Sequence, residues 1–317
     1  MDARITIFNT LVTDILAKIN PALPHSSIIF LILCMEMRVF LCLEIYTKKI
    51  NIMKLQTNHF CKNFIKAVFL GLFIILSQQQ ISYAQPTLFG MTSEGGMQFG
   101  SIFGIPTGGT SLTKQYNFEG IPGKYPQHTK LTQSSNGKLY GMTYQGGANN
   151  QGVLFEYDAN SNIYSKKFEF SDTDGTYPYG SLIEASNGKL YGLTTGGGLN
   201  RSGVLFEYDA NSNIYTKKFE FSNATGRNPF GSLIEASNGK MYGMTQYGGA
   251  NGLGVLFEYD AVNNVYTKKF DFSTPNGVYP EGSLIETANG KLYGMTPGGG
   301  ANNQGVLFEY DVSINVY

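Results

Sequence analysis

Three glutamates at a fixed spacing are the side chains of this sequence best suited to acid–base chemistry. Glu184, Glu235 and Glu286 each stand in the phrase SLIEAS or SLIETA, 51 residues apart. Two carboxylates hydrolyse glycosides when one acts as the acid and the other as base or nucleophile. Such a pair needs two different environments, whereas these three glutamates occupy one position of a repeat. We therefore interpret them as a rim of solvated charges and predict no catalytic residue.

Oxygen ligands with calcium-loop spacing occur once per repeat. Asp158, Asn160 and Asn162 have the D-x-N-x-N pattern, which is typical of a calcium loop. The glycine and distal glutamate that complete such a loop are absent, and a later copy carries Val262 at the middle position. We interpret the segment as a polar hairpin turn and predict no metal site.

The other reactive side chains are few and isolated. His128 is the only histidine after residue 84, and it falls in the weakest repeat, which predicts a surface-loop histidine rather than a base held by an orienting group. Cys34, Cys42 and Cys61 all precede residue 84. No glycine pair leads into a GK[ST] phosphate-binding loop. The sequence therefore predicts a protein that is not an enzyme and binds no cofactor.

A repeat of 51 residues positions all of these side chains. The phrase FGMT, YGMT or YGLT opens at that spacing on Phe89, Tyr140, Tyr191, Tyr242 and Tyr293. It alternates with three other phrases, GVLFEYD, KKFEF or KKFDF, and GSLIEAS or GSLIETA. Each unit thus contains four strand-like runs: strand a (SLIEAS), b (KLYGLT), c (GVLFEYD) and d (IYTKKFEF). The pair Asn187–Gly188 between a and b predicts a tight hairpin turn with positive φ at both residues.

Four antiparallel strands in about 50 residues indicate one blade of a β-propeller. We predict an all-β fold, a β-propeller of about five such blades, with an incomplete ring as one option and an open β-solenoid of the same unit as the alternative. Strand a should line the axis, and strand d should form the outer edge, where its lysine pair resists strand addition. The side chains expected between neighbouring blades are Leu182, Tyr191, Leu205, Phe206 and Phe219.

The first part of the chain differs from the repeats. An apolar run at 67–76 follows three lysines and precedes Ser82-Tyr83-Ala84, which predicts a secretory signal peptide over 53–84 that is cleaved after Ala84. Residues 1–52 then read as an over-extended N-terminus, with a signal anchor on 28–46 as the alternative. The repeat domain would be 85–317. It begins at strand b and stops where strand d should start, which predicts incomplete terminal sheets, self-association and further repeats beyond Tyr317.

Charge and hydropathy narrow the range of partners. Residues 85–317 carry 15 Lys and Arg against 19 Asp and Glu, without a basic cluster, so the electrostatic pattern of a nucleic-acid-binding protein is missing. The apolar run at 67–76 is shorter than the roughly 20 residues of a membrane span. We expect no nucleic acid and no stable membrane span in the mature chain, and the oligomeric state stays open.

The phrases NGKLYGMT, GG and GVLFEYD, spaced as above, resemble the GloVer-type tandem repeats over essentially all of 86–317. Those repeats occur in secreted proteins described as "choice-of-anchor", in which alternative sorting domains follow the repeats. The resemblance implies a secreted or cell-surface protein of unassigned activity, and it supplies no catalytic residues. No sorting domain follows the repeats here, which leaves surface anchoring open. The double glycine after strand b is also loosely similar to kelch blades, although the kelch tryptophan is missing.

Two loops vary between units while the strands barely change. The b–c and d–a loops share one face of a propeller, and variable loops on a repeated scaffold are where binding usually occurs. Their tyrosine, asparagine and glutamine side chains suit contacts with sugars or proteins. The candidate ligand-binding residues are Tyr144, Gln145, Tyr177, Tyr179, Asn228, Phe230, Gln246, Tyr247, Tyr279 and Glu281. We expect a binding or adhesion module for an extracellular glycan or protein, with a structural spacer, and less favourably a propeller glycosidase, as alternatives.

Overall fold

The computed structural model describes residues 87–96 and 98–317. The predicted signal peptide, the over-extended N-terminus and the three cysteines lie outside these residues. Within the described part, strands form five sheets, and the only helical element is a single 3-10 turn at Thr274–Asn276. No helix in that part is long and apolar enough to cross a membrane.

The sheets follow one another along the chain, and every pairing within a sheet is antiparallel. The first sheet contains β1 (Thr87–Thr92), β2 (Ser101–Pro106) and β3 (Thr113–Asn117), and the second contains β4 (Thr132–Gln133), β5 (Leu139–Thr143), β6 (Val153–Asp158) and β7 (Ile163–Glu169). The third contains β8 (Thr176–Pro178), β9 (Ile183–Glu184), β10 (Leu190–Gly196), β11 (Val204–Asp209) and β12 (Ile214–Glu220). The fourth contains β13 (Ile234–Glu235), β14 (Met241–Thr245), β15 (Val255–Asp260) and β16 (Val265–Asp271), and the fifth contains β17 (Ile285–Glu286), β18 (Lys291–Thr296) and β19 (Val306–Asp311).

Each sheet is a blade with the predicted strand order. In the fourth sheet the order is β13-β14-β15-β16, so strand a is innermost and strand d is the outer edge. Strand a is shorter than SLIEAS predicts, because only its Ile–Glu pair forms a ladder with strand b. The third sheet gains a fifth strand, because Thr176 and Pro178 of the d–a loop also pair with β10.

The hairpin between strands a and b differs from the predicted turn. Gly188 has a φ of 74°, but Asn187 is not among the residues with positive φ. The Gly188 N–H donates to the Ala185 carbonyl and the Ala185 N–H donates to the Lys189 carbonyl, which is a three-residue loop with a glycine bulge. The Asn187 side chain accepts from the Lys189 N–H at 3.0 Å, so asparagine stabilises the turn without entering the left-handed region.

Neighbouring sheets pack face to face through residues of the repeated phrases. Leu182 and Phe206 lie in a core cluster with the second sheet, whereas Tyr191 and Leu205 lie in a cluster with the fourth. The ring of Phe206 lies over Gly192, where an added Cβ would be 2.5 Å from its terminal carbon. Glycine in the YGMT phrase is therefore required by the aromatic ring that covers it. The five predicted interblade residues are confirmed.

A stacked aromatic pair recurs between successive sheets. Phe219 stacks on Tyr266 of the next sheet, with ring centroids 3.9 Å apart and planes at 3°. The Tyr266 hydroxyl donates to the Thr225 carbonyl, and burial raises its pKa. The same stacking repeats at Phe168–Tyr215 and Phe270–Tyr317.

The outer edge is protected by a bulge and an ion pair. The register between β11 and β12 shifts by one residue, so that Lys218 is left without a ladder partner. Its ammonium group lies 3.5 Å from the Glu207 carboxylate. A bulge and a charge on the outermost strand both oppose pairing with another edge, which supports the predicted role of the lysine pair.

Successive strands a converge on one axis. A single cavity of about 690 Å³ is lined by the inner segments of four consecutive sheets, among them Lys130, Ser181, Ser232 and Ser283. Strand a of each of these sheets therefore borders the same cavity, as predicted for the strands that line the axis of a β-propeller.

Candidate functional site

A ladder of serines holds the inner ends of the d–a loops together. The Lys130 N–H donates to the Ser181 hydroxyl at 2.9 Å, and the Ser181 N–H donates to the Ser232 hydroxyl at 2.8 Å. The Ser232 N–H donates to Ser283 in the same way at 2.9 Å. Each bond joins positions 51 residues apart, so consecutive blades present the residues just before the serine at one mouth of the axial cavity.

Four different side chains stand at that mouth in equivalent positions of four repeats. His128, Tyr179, Phe230 and Glu281 are successive members of a series with a spacing of 51. The imidazole of His128 stacks on the Tyr179 ring with centroids 4.2 Å apart, and Tyr179 meets Phe230 edge-on at 4.5 Å. All four residues line one cavity of about 310 Å³. We call these four residues the axial mouth.

Two predicted residues support the axial mouth from the b–c loops. The buried Gln246 donates from its side-chain amide to a Glu281 carboxylate oxygen at 2.5 Å. The ring of Tyr144 lies 5.9 Å from that of Tyr179. Burial raises the pKa of Tyr179, and the negative charge of Glu281 raises it further. The hydroxyl therefore stays protonated at neutral pH and can donate a hydrogen bond.

Further out, the predicted residues form two smaller aromatic pairs. Tyr144 and Tyr177 have centroids 5.1 Å apart, and Tyr247 and Tyr279 are 5.3 Å apart. The guanidinium of Arg227 lies over the Tyr247 ring, 5.1 Å from its centroid. Each pair joins a tyrosine of a b–c loop to a tyrosine of a d–a loop, and neither pair lines the cavity of the axial mouth.

Other predicted residues have structural roles. The side-chain amide of Asn228 donates to the Thr195 carbonyl at 2.8 Å, and Gln145 pairs through its backbone with Lys124. Tyr177, Asn228 and Tyr279 share a positive φ of 54°, 54° and 57°. This left-handed backbone conformation recurs at equivalent positions of the repeats. It is therefore a feature of the turn within the d–a loop.

His128 is the functional candidate that the sequence reasoning missed. Its place in the weakest repeat suggested an isolated surface-loop histidine, whereas the structure places it beside Tyr179 in the axial mouth. The available signal was its distance of 51 residues from Tyr179. Because the neighbouring residues of that repeat differ, the equivalence is visible only through the spacing.

The repeated glutamates are not a solvated rim. The Glu235 carboxylate accepts from the Ser186 N–H and hydroxyl of the preceding blade, each at 2.7 Å, and Glu286 accepts in the same way from Ser237. Burial raises the pKa of Glu184, but hydrogen bonds from Ser134 and Ser135 outweigh it and hold the pKa below its ordinary value. Each glutamate thus joins strand a of one blade to the a–b turn of the blade before it.

The candidate calcium loop is a hairpin turn. Asp158 accepts from the Asn160 N–H at 2.9 Å, and its other oxygen pairs with Lys138. Asn162 accepts from the Tyr157 hydroxyl at 2.6 Å. The side-chain oxygens of Asp158 and Asn162 are therefore bound to the protein itself. Among the described residues no group of acidic, histidine or cysteine side chains is placed to hold a metal ion.

The family of the chain follows from its repeats. A model of the Gloeobacter/Verrucomicrobia repeat matches residues 76–219 and again residues 183–317. The two matches cover well over half of the chain, and the chain belongs to this repeat family, as the resemblance to GloVer-type repeats predicted. No curated protein matches the sequence.

Solved structures with a similar arrangement of sheets are remote in sequence. TolB from Acinetobacter baumannii is 9% identical with a TM-score of 0.47, and the match covers 73% of this chain and 51% of TolB. The extracellular domain of the one-component system BT4673 from B. thetaiotaomicron is 13% identical with a TM-score of 0.47, covering 71% of this chain and 26% of that one. A Bacteroides uniformis protein assigned as a 6-phosphogluconolactonase is 16% identical with a TM-score of 0.47, covering 74% and 66%. This chain spans about half of TolB and a quarter of the BT4673 domain.

Proposed function

We propose that this protein is a secreted binding module whose axial mouth takes an extracellular glycan. One observation carries the proposal. At a single position of the repeat, four consecutive blades present His128, Tyr179, Phe230 and Glu281 around one cavity, while the serines of the supporting ladder recur. Different side chains on a repeated support are what a site needs in order to recognise one asymmetric ligand.

The chemistry of the axial mouth suits a sugar. Carbohydrate rings have apolar C–H faces that pack on aromatic side chains, and Tyr179 and Phe230 are partly exposed there. Their hydroxyl groups need donors and acceptors, which the Tyr179 hydroxyl and the Glu281 carboxylate supply. A cavity of about 310 Å³ lies at the lower end of the range for small-molecule sites. It would accommodate a terminal sugar or a short segment of a chain.

Engagement of the repeated carboxylates supports binding rather than hydrolysis. Glu184, Glu235 and Glu286 each accept hydrogen bonds from the neighbouring blade, so none is free to serve as the acid of a glycosidase pair. We therefore propose no catalytic role for this chain. Turnover of a polysaccharide that Glu235→Gln abolishes would overturn this part of the proposal.

A glycan array probed with the secreted protein tests the proposal directly. Tyr179→Ala should lower the affinity for any bound glycan by roughly tenfold or more, as for an aromatic anchor. Ile214→Ala is the matched control, because Ile214 is exposed at the start of β12, next to the c–d turn on the opposite face. Equal losses in the two variants would contradict a site at the axial mouth. If the protein binds no glycan on the array, the result would favour a structural spacer or a protein ligand.

Secretion is a separate part of the proposal. The lysine-flanked run at 67–76 and the small residues Ser82 and Ala84 support cleavage after Ala84. Mass spectrometry of the exported protein should then identify Gln85 as its first residue, in open or cyclised form. A mature protein that retains Cys61 would contradict the proposed cleavage.

A further inference from the structure

Aromatic rings continue from the axial mouth onto the junction between the second and third sheets. The Tyr179 ring meets Phe230 at 4.5 Å and Tyr144 at 5.9 Å, and the Tyr144 ring in turn lies 5.1 Å from that of Tyr177. All four residues are partly exposed. Phe230 and Tyr179 line the cavity of the axial mouth, whereas Tyr144 and Tyr177 do not. We call these four residues the aromatic stripe.

The aromatic residues are concentrated at this one junction of the repeat. Tyr144, Tyr177 and Tyr179 occupy three loop positions that recur every 51 residues. At the next two junctions these positions carry Thr195, Asn228 and Phe230, and then Gln246, Tyr279 and Glu281. The strands beneath the loops barely change between these repeats. Packing of the sheets therefore does not require aromatic side chains at the three positions.

Hydrogen bonds fix the backbone that carries the outer two rings. The Tyr177 N–H donates to the Gln151 carbonyl at 2.9 Å, and the Tyr177 carbonyl accepts from the hydroxyl of the buried Thr195 at 2.8 Å. The Tyr144 N–H donates to the Tyr125 carbonyl at 2.9 Å. A rigid aromatic surface loses little conformational entropy when it binds a ligand. The aromatic stripe is therefore preorganised for binding.

The aromatic stripe is uncharged, which narrows the chemistry of its ligand. Burial raises the pKa of both Tyr144 and Tyr179, so their hydroxyls are protonated at neutral pH and can donate as well as accept hydrogen bonds. The Glu281 carboxylate stands beside this surface in the axial mouth and would repel an acidic sugar. The cation of Arg227 lies instead over Tyr247, outside the stripe. Aromatic faces with neutral hydroxyls suit a neutral sugar chain.

We propose that the aromatic stripe binds the sugars of a neutral polysaccharide that follow the one held in the axial mouth; the proposal rests on the function proposed above. Neighbouring rings of the stripe have centroids 4.5–5.9 Å apart, a spacing comparable to the length of one sugar in an extended chain. Successive sugars of one chain can therefore contact successive rings. The affinity should then increase with the length of the chain until the stripe is filled.

Titration calorimetry of the secreted protein with oligosaccharides of increasing length tests this inference. The probes are neutral oligosaccharides of glucose, mannose and xylose, each from disaccharide to hexasaccharide, with a galacturonic acid series as the acidic counterpart. Tyr177→Asn should lower the affinity for a bound hexasaccharide by roughly threefold to tenfold. It should leave the affinity for the disaccharide unchanged, because a disaccharide is held at the axial mouth. Tyr179→Ala should lower the affinity for both.

Tyr279→Asn is the matched control, because Tyr279 occupies the position of Tyr177 in a later repeat but lies outside the aromatic stripe. Both tyrosines have a left-handed φ, of 54° and 57°, and Asn228 adopts 54° at the same position. Both variants should therefore fold, which the thermal midpoint would verify.

The outcomes separate this inference from the proposed function. An affinity that does not depend on chain length would overturn the aromatic stripe and leave a site at the axial mouth intact. Equal losses for Tyr177→Asn and Tyr279→Asn, or tighter binding of the acidic series, would also overturn the inference alone. If the protein binds none of the neutral series, the inference fails, and the proposed function fails with it when the glycan array shows no binding either.

Discussion

The axial mouth and the faces between blades are built from the same repeat, yet they vary in opposite ways. The interfaces contain the same leucines, phenylalanines and tyrosines each time, and nearly all of them are buried. The axial mouth presents His128, Tyr179, Phe230 and Glu281 at one position. A repeated interface has to fit a copy of itself, whereas the side chains of the axial mouth do not pack between blades. Burial therefore constrains the residues of the interfaces and leaves those of the axial mouth free to differ.

The largest expected effect breaks an interface. Phe206→Ala removes a fully buried ring that packs on Gly192 and lies 5.4 Å from the Phe170 ring of the second sheet. The free energy of unfolding should fall by about 3–5 kcal/mol, as measured by chemical denaturation. Phe206→Leu should lower the free energy of unfolding by less, because leucine retains part of the buried side-chain volume. Similar losses for Phe206→Ala and for an axial-mouth variant would contradict the contrast between the two regions.

A smaller effect is expected from one hydroxyl within an interface. Tyr266→Phe keeps the ring stacked on Phe219 but removes the donor to the Thr225 carbonyl. We expect a loss of about 1 kcal/mol in the free energy of unfolding, because a partly buried acceptor loses its donor. Tyr266→Leu should cost more, since it also removes the stacked ring. If the two variants unfold at the same denaturant concentration, the stacking of Tyr266 on Phe219 contributes nothing to stability.

The glutamate contacts between blades predict a dependence of stability on pH. The pKa of Glu184 is lowered in the folded protein from an ordinary 4.5, so its contribution is present above that value and is lost as pH falls through the folded pKa. Because the group is partly exposed, Glu184→Gln should cost only about 1 kcal/mol at neutral pH. Denaturation curves at pH 7 and at about pH 3 should show that the difference in the free energy of unfolding between Glu184→Gln and the unaltered protein is smaller at the lower pH. A difference that grows on acidification would contradict the hydrogen-bonded role.

The smallest expected effect lies on the variable loops. Tyr247→Ala removes contacts with Tyr279 and Arg227, which lie outside the core clusters. The free energy of unfolding should change by about 0.5 kcal/mol or less. A loss comparable to that of Phe206→Ala would mean that the loops are part of the core.

Much of the fold follows from periodicity. The spacing of the YGMT phrases predicts the blades, and alternation along strands b and c predicts which side chains lie between them, as Tyr191, Leu205 and Phe206 confirm. The turn at Asn187 was predicted incorrectly. An Asn–Gly pair is compatible with both a two-residue and a three-residue loop, and pairing of Ala185 with Lys189 selects the latter.

The candidate site was only partly predictable. The two variable loops were identified from their differences between units, but spacing alone did not rank their residues. Phe230 lies in the axial mouth, whereas Asn228, two residues earlier, donates to a backbone carbonyl. This distinction depends on where the chain turns inward, and sequence variation does not report it.

The sequence by itself determined the repeat, its strands, its buried faces and its variable loops, because these depend on contacts within one unit or between adjacent copies of it. Only the tertiary structure decided what meets at the axis. It brought His128 beside Tyr179 and joined each repeated glutamate to a turn of the blade before it. The physical reason is that convergence depends on the small rotation between successive sheets. That rotation results from many side-chain contacts together, and it cannot be predicted from any single phrase of the sequence.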